Sequence, residues 1–224
     1  MRGNAEVMVP RTVAIDDAVR QRPSPQLVIL GAGLDGRAWR MPELAESVVY
    51  EVDQPASQTD KRDRIGDLQP KAREVRFVPV DFRRDSLETR LDEAGHRTDV
   101  PTTWIWEGVV PYLTRPEVTA TVRAIDARSA AGSRLIVNYQ VPAIAAVIGR
   151  WFARTMLFAT RGPDVFRHEP HRSHWRPDEM KTLLAEGGFA AITDEDCLTI
   201  AHGLGLEIKH HRSVGYGRVG VADR

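Results

Sequence analysis

Leu27-Val28-Ile29-Leu30-Gly31-Ala32-Gly33-Leu34-Asp35-Gly36-Arg37 is the stretch that decides how the rest of the chain reads. Four consecutive apolar residues suit a strand buried on both faces, and the glycines that follow at once describe a tight turn and the start of a helix. Such a turn lets backbone approach a ligand closely, and the N–H groups that open the next helix offer hydrogen bonds to an anionic or polar group. The stretch predicts the cradle of a nucleotide-type cofactor. Gly31, Gly33 and Gly36 also satisfy, literally, the G-x-G-x-x-G pattern of dinucleotide enzymes, which is too short to choose the cofactor by itself.

Outward from this turn, apolar runs alternate with helical patterns, the signature of a parallel sheet covered by helices on both faces. Strands are predicted over 27–30, 48–53, 75–80, 103–107, 133–139 and 189–194, and the alternation of residues 216–222 predicts an extended segment that closes the sheet antiparallel. Leu87, Leu91 and Ala94, and again Val118, Val122 and Ile125, recur at helical spacing, so each connecting helix has a face to pack on the sheet. A helix over 177–186 begins with Pro177 and stops at Gly187-Gly188. A short helix is predicted around Thr12 to Gln21, ended by Pro23-Ser-Pro25. Residues 143–176 are too long for an ordinary connection, and a helical cap inserted over the ligand crevice is expected there.

At 224 residues the chain is read as one domain over 1–224, large enough to bury a core without disulfides or a structural metal. Lysine plus arginine and aspartate plus glutamate both total 31, so there is no net field to draw nucleic acid or an anionic membrane. The expected partner is a small molecule. Cys197 is the only cysteine, which excludes an internal disulfide and a cysteine-rich metal site and suits a reducing cytoplasm. No apolar run reaches the roughly 18 to 20 residues of a spanning helix, and the N-terminus lacks the apolar core of a signal peptide, so a soluble chain is expected.

Ligands of an open parallel sheet bind beyond the carboxyl ends of its strands, so polar residues there come first. Val48-Val-Tyr-Glu-Val-Asp53 ends in a carboxylate placed to accept both hydroxyls of an adenosine ribose, with a helix cap as the plainer alternative. Asp81-Phe82 follows the third strand, where the carboxylate suits an adenine amino group and the ring suits the base; a turn residue ion-paired at the surface is the alternative. Glu107 ends the fourth strand and faces the reacting end of the crevice.

Five motifs occur in order: Gly31-Ala-Gly-Leu-Asp-Gly-Arg-Ala-Trp-Arg40, Glu51-Val-Asp-Gln-Pro55, Val80-Asp-Phe-Arg83, Glu107-Gly-Val-Val-Pro-Tyr-Leu113 and Gly132-Ser-Arg-Leu135. Together with the terminal Gly217-Arg-Val-Gly-Val-Ala-Asp-Arg224, they resemble the leucine carboxyl methyltransferase family in its bacterial branch. The resemblance implies an S-adenosyl-L-methionine-dependent O-methyltransferase of the class I Rossmann-like fold: α/β, a mainly parallel seven-stranded sheet with an antiparallel last strand, and a helical cap. It implies that Gly31, Ala32 and Gly33 pass close to the methionine part of the cofactor, and that Asp53 binds the ribose. By the same resemblance Asp81 and Phe82 take the adenine, Glu107 the amino-acid end, and Arg11 the cofactor carboxylate. Asp35 and Arg37 are signature positions assigned to loop geometry. The product would be a methyl ester or ether plus S-adenosyl-L-homocysteine.

Two features depart from the family pattern. Gly36 stands where the family usually has threonine, which creates the literal dinucleotide pattern, and only 26 residues precede the first strand, so the substrate lid is either reduced or truncated. Residues 161–176 carry four arginines and His168, His171 and His174 against Asp164 and Glu169, a basic cap that would favour an anionic substrate. The plainer reading of that stretch is a solvated loop. No zinc site is expected, since Pro170 interrupts the histidines and no cysteine accompanies them. If the acceptor were a hydroxyl, one of the three histidines or Tyr139 would have to serve as base. The alternatives are an NAD(P)-dependent oxidoreductase and a catalytically silent S-adenosylmethionine-binding module.

Overall fold

A computed structural model of the chain describes residues 2–81, 84–142 and 172–224. Its seven strands are β1 (Gln26–Leu30), β2 (Val48–Asp53), β3 (Glu74–Pro79), β4 (Thr102–Trp106), β5 (Arg134–Gln140), β6 (Ala190–Asp196) and β7 (Gly217–Asp223). They form one sheet in the order β3-β2-β1-β4-β5-β7-β6. β1 to β5 run parallel, and β7 is antiparallel to both of its neighbours. The apolar runs read from the sequence are these strands, shifted by a residue or two at their ends.

The helices are α1 (Arg2–Gln21), the single turn α2 (Arg37–Arg40), α3 (Pro55–Ile65), α4 (Leu87–Glu93), α5 (Arg115–Ala127), α6 (Pro177–Glu186), α7 (Cys197–Gly203) and α8 (His211–Gly215). On one face of the sheet Val28, Leu30, Tyr50, Trp104 and Trp106 pack with Leu91 of α4, Val118 and Val122 of α5, and Leu184 of α6. On the other, Leu27, Ile29, Val49 and Ile105 pack with Ile15 and Val19 of α1 and Ala201 of α7. Adjacent strand residues therefore serve opposite cores, as the pleat requires. Thr114 and Glu117 close a reciprocal capping box at the start of α5.

The first helix is longer than the sequence suggests: it starts at Arg2 and passes through Pro10 rather than beginning near Thr12. Proline removes one helical hydrogen bond, but Pro10 is buried with Ile15, Ala18 and Val19 on the packed face, and tertiary packing overrides the local preference. Of the expected cap, residues 143–171 lie outside the described residues. Its last stretch is anchored: Arg172 and Ser173 donate backbone hydrogen bonds to the Pro111 carbonyl (2.6 and 3.3 Å), and Trp175 donates to that of Gln140 (2.9 Å).

Candidate functional site

The sheet order reverses between β1 and β4, and the crevice at that switch point lies beyond their carboxyl ends. Gly31 there has φ +70° and Gly33 φ +45°, left-handed conformations that disfavour any side chain. A Cβ at Gly31 would also run into the Val109 side chain. The turn is held from within: the Gly31 and Ala32 amides donate to the Val52 carbonyl (2.8 and 3.0 Å), Gly33 N to Asp53 Oδ2 (2.5 Å) and Asp35 N to the Ala32 carbonyl (2.7 Å).

The turn's own amides are thus spent inside it, and of the N–H groups that open the following helix Arg37 N donates to Asp35 Oδ1 (2.7 Å). Only one helical turn, α2, follows the glycines, so no long helix brings its N-terminus to the site. What the turn presents is close-approach backbone. The literal third glycine is not required by packing either: a Cβ on Gly36 would meet nothing within 4 Å, and its φ is −103°. The dinucleotide pattern is a coincidence of sequence, and the antiparallel β7 between β5 and β6 departs from the dinucleotide-binding strand order.

The charges of the site come from side chains on four separate elements. Arg11 on α1 donates through Nε to Glu107 Oε1 (2.6 Å), just past β4, and Arg37 Nη1 donates to Glu107 Oε2 (2.8 Å). Arg37 is buried, donates through Nε to Asp16 Oδ1 (2.8 Å) and also pairs with Asp35. Arg40 holds the other side of Asp16, with Nη1 2.5 Å from Oδ2. Burial works against the charge on Arg37, but the carboxylates of Asp35, Glu107 and Asp16 outweigh it and hold its proton more firmly than in a free guanidinium. Burial likewise opposes the Asp16 carboxylate, and Arg40 and Arg37 prevail, keeping it below the ordinary carboxylate range.

Above this cluster lies a cavity of about 380 Å³, lined by Arg11, Gly31, Gly33, Arg37 and Glu107 among others, with exposed Met8 and Leu34 at its mouth. Within the buried cluster Arg37 Nη2 has no hydrogen-bond partner among the described residues. Among the described residues Arg11 is bonded through Nε, which leaves both terminal amino groups of its fork for a ligand.

The sequence-selected residues are thus brought together unequally. Gly31, Ala32, Gly33, Arg11 and Glu107 line one cavity. Asp53 stands at its back and braces the turn, with Oδ1 also accepting from Gln54 N (2.6 Å). It is not the cap of α3, whose N-cap is Gln54. Asp81 lies past β3 in a tight turn where its carbonyl accepts from Arg84 and Asp85 (both 2.8 Å) and its carboxylate lies 3.8 Å from Arg84 Nε. Phe82 lies outside the described residues, as do His168 and His171. His174 is described, and its carbonyl accepts from Arg115 Nη2 (2.8 Å).

Tyr139 is fully buried and donates its hydroxyl to Asp194 Oδ2 (2.6 Å). Burial and that bond push its phenol far above the ordinary range, which removes it as a general base. A second cavity, of about 260 Å³, lies beside Tyr139, Asp194 and Arg218, with none of its lining from β1, β2 or β4. Among the described residues no group of histidines, cysteines and acids is arranged to hold a metal ion, and no helix is long and apolar enough to cross a membrane. Burial raises the Cys197 thiol to about 11, so it is not a reactive thiolate.

The sequence reading named Arg37 for loop geometry alone and passed over Asp16. Arg37 orients Glu107 as well as the loop, and Asp16, which nothing singled out, ties Arg37 and Arg40 together. Their one visible signal is the pairing of signature positions Asp35 and Arg37 two residues apart.

An open sheet of order 3-2-1-4-5-7-6, with the seventh strand antiparallel and a glycine turn after the first, is the Rossmann-like methyltransferase fold. The family model for leucine carboxyl methyltransferase matches residues 1–126, and the chain belongs to that family. A relative from Mycolicibacterium gilvum (strain PYR-GCK), an S-adenosyl-L-methionine-dependent methyltransferase by name alone, is 34% identical over 207 residues, covering 88% of this chain and 67% of its own. Another of the same designation, from Mycobacterium sp. (strain JLS), is 39% identical over 143 residues, covering 63% of this chain and 48% of its own. The chain thus spans about half the length of several curated relatives it matches.

Two solved structures share the fold at low identity. Magnesium protoporphyrin IX methyltransferase from Synechocystis PCC 6803, solved with S-adenosylhomocysteine bound, superposes with a TM-score of 0.56 at 12% identity, covering 98% of this chain and 85% of that one. The 1,6-didemethyltoxoflavin-N1-methyltransferase from Burkholderia thailandensis, solved with its substrate and S-adenosylhomocysteine, gives 0.58 at 14% identity, covering 98% and 78%.

Proposed function

We propose that this chain is an S-adenosyl-L-methionine-dependent O-methyltransferase acting on a carboxylate, or a hydroxyl, of a small anionic molecule. One observation carries the reading: a cation and an anion, Arg11 and Glu107, stand 2.6 Å apart beside a glycine turn that presents bare backbone. The methionine end of the cofactor is a zwitterion, and this donor set matches it. The terminal nitrogens of Arg11 would take the α-carboxylate, Glu107 the ammonium and Asp53 the ribose hydroxyls, with Asp81 and Phe82 at the adenine.

Bound there, the cofactor would supply a sulfonium methyl group to an oxygen nucleophile. The chain's own residues supply position and exclusion of water. Arg37 fixes Glu107, and Asp53 fixes the turn. A carboxylate acceptor is already ionised at neutral pH, because carboxyl pKa values lie near ~4, so no residue need remove a proton. Tyr139, held as a donor to Asp194, leaves His168, His171 and His174 as the base candidates for a hydroxyl acceptor.

We read residues 1–224 as a single domain with 143–176 as a cap, supported by the anchoring of Arg172 to Trp175 at the ends of β4 and β5. The basic character of 161–176 supports the anionic substrate, and a lone buried cysteine supports a cytoplasmic setting. Calorimetry with S-adenosylhomocysteine and with NADH tests the cofactor: at 100 times its dissociation constant the right ligand adds about 2.7 kcal/mol of stability, and the wrong one adds none. Transfer of a labelled methyl group to any acceptor excludes a silent binding module.

A further inference from the structure

Below the glycine turn, on the face of the sheet that packs against α1, β2 carries a carboxylate where its neighbours carry apolar residues. Glu51 is fully buried, paired in register with Ile29 on one side and Phe77 on the other. Lys61 of α3, also buried, brings Nζ to 2.6 Å from Glu51 Oε2. The same ammonium donates to the Asp35 carbonyl (2.7 Å) and sits 5.2 Å from the centre of the Trp39 ring. One side chain thus joins β2, the loop that follows the glycines, and α2.

A buried ion pair is a poor source of stability, because desolvation consumes most of the Coulombic gain and an apolar pair of equal volume does as well or better. What an apolar pair cannot do is give the Asp35 carbonyl a charged donor. Asp35 in turn accepts from Arg37 N at Oδ1 (2.7 Å) and pairs with the Arg37 guanidinium, which holds Glu107.

We propose that Lys61 is a positioning residue for the ligand site: its ammonium, seated against Glu51, fixes the Asp35 carbonyl and, through Asp35 and Arg37, sets where Glu107 stands. The loop part of this stands on the structure alone, and the effect on affinity rests on the cofactor reading above. Burial, opposed by Lys61 and reinforced by Asp35 and Asp53, raises the Glu51 carboxyl to about 7, so Glu51→Gln is a mild change to the pair.

The test uses the full chain, with hydrogen exchange of the Gly33 to Arg37 amides in unliganded protein and calorimetry with S-adenosylhomocysteine. In a Glu51→Leu, Lys61→Met double variant both charges are removed together and an apolar pair takes their place, and the expected result is a melting temperature close to wild type. Loop exchange should be about tenfold faster and affinity about tenfold weaker. Glu51→Gln alone keeps the donor and should keep loop protection and affinity within about twofold. A double variant with wild-type loop exchange and affinity overturns the proposal, and so does a Glu51→Gln protein that loosens the loop as much as the double variant does. If the double variant does not fold, Glu51→Gln decides alone: unchanged loop exchange supports Lys61 as the fixing group, and a tenfold rise overturns it. A wild-type chain that binds no S-adenosylhomocysteine defeats the cofactor reading, while the exchange comparison still decides the role of Lys61.

Discussion

The two ends of the sheet use buried polar groups in opposite ways. At the amino ends of the strands, Gln26, His96, Thr102, Arg128 and Ser133 form a closed network: Gln26 Nε2 donates to the Arg97 carbonyl (2.9 Å), His96 Nε2 meets Thr102 Oγ1 (3.0 Å), and Thr102 N donates to Ser133 Oγ (3.0 Å). At the carboxyl ends, Arg37, Asp16, Asp35, Glu107, Glu51 and Lys61 form an ionic cluster with left-handed glycines beside it. Among the described residues the buried Arg37 Nη2 has no hydrogen-bond partner and the Glu51 carboxylate meets only the Lys61 ammonium, whereas no buried side-chain atom of the amino-end network lacks a partner. Structural polarity closes on itself, whereas a binding site keeps unspent donors and constrained backbone where a ligand is to come.

The sharpest attempt to break this contrast is Arg37→Met. Removing one member of a buried ionic cluster strands its partners and costs about 3 to 5 kcal/mol, so Tm should fall by roughly 6 to 20 °C in a domain of this size. A loss under about 1 kcal/mol in urea unfolding would place the cluster with weak surface pairs.

The next effect is on pH dependence, where the two ends should differ in sign. Burial, reinforced by Arg128, lowers the His96 imidazole to about 4 from 6.5, so the unfolded chain binds its proton more readily and stability falls as pH drops from 6.5 toward 4. The loss amounts to about 3 kcal/mol. Glu51 is raised instead, so its contribution is present below about 4.5 and is lost as pH rises through about 7. Urea unfolding between pH 4 and 8 should show the acid-side slope shrink in His96→Gln and the neutral-side slope shrink in Glu51→Gln.

A smaller effect concerns ligand affinity. Asp53→Ala should weaken S-adenosylhomocysteine by roughly 1.5 to 3 kcal/mol through loss of charge-assisted bonds to the ribose, and Asp81→Ala by less. Equal calorimetric affinities in wild type and the Asp53 variant would reduce Asp53 to a brace for the Gly33 amide. Smallest is Tyr139→Phe, which removes one hydrogen bond worth about 1 kcal/mol and should leave turnover unchanged. A hundredfold fall in kcat at saturating acceptor would restore Tyr139 to the chemistry.

Much of the fold was legible because a buried parallel strand is a run of apolar residues and a sheet helix has one apolar face. Leu27 to Leu30 and Val118, Val122, Ile125 show both. The carboxylates Asp53 and Glu107 were legible because strand ends are where such sheets bind. Asp16 and Lys61 were not, and Arg37 only as a loop position, since an ion pair between distant elements leaves no period in the sequence. In α3 the buried face is Gln58 and Lys61, so a helix crowded with Asp60, Arg62, Asp63 and Arg64 gives no hint of which charge is inside. The start of α1 was not legible either, because helix continues through Pro10 where its ring is buried against the core.

The antiparallel β7 also carries a consequence for synthesis. Among the described strands β6 joins the sheet only through β7, and residues 217–223 leave the ribosome after the other six. Until then β5 is an open apolar edge, with Leu135, Ile136 and Val137 awaiting Ala222, Val221 and Gly220. An unfinished nascent chain therefore exposes a strand edge apt to pair with a neighbouring polypeptide. Stalling before residue 217 should give aggregates rather than a shortened but orderly domain.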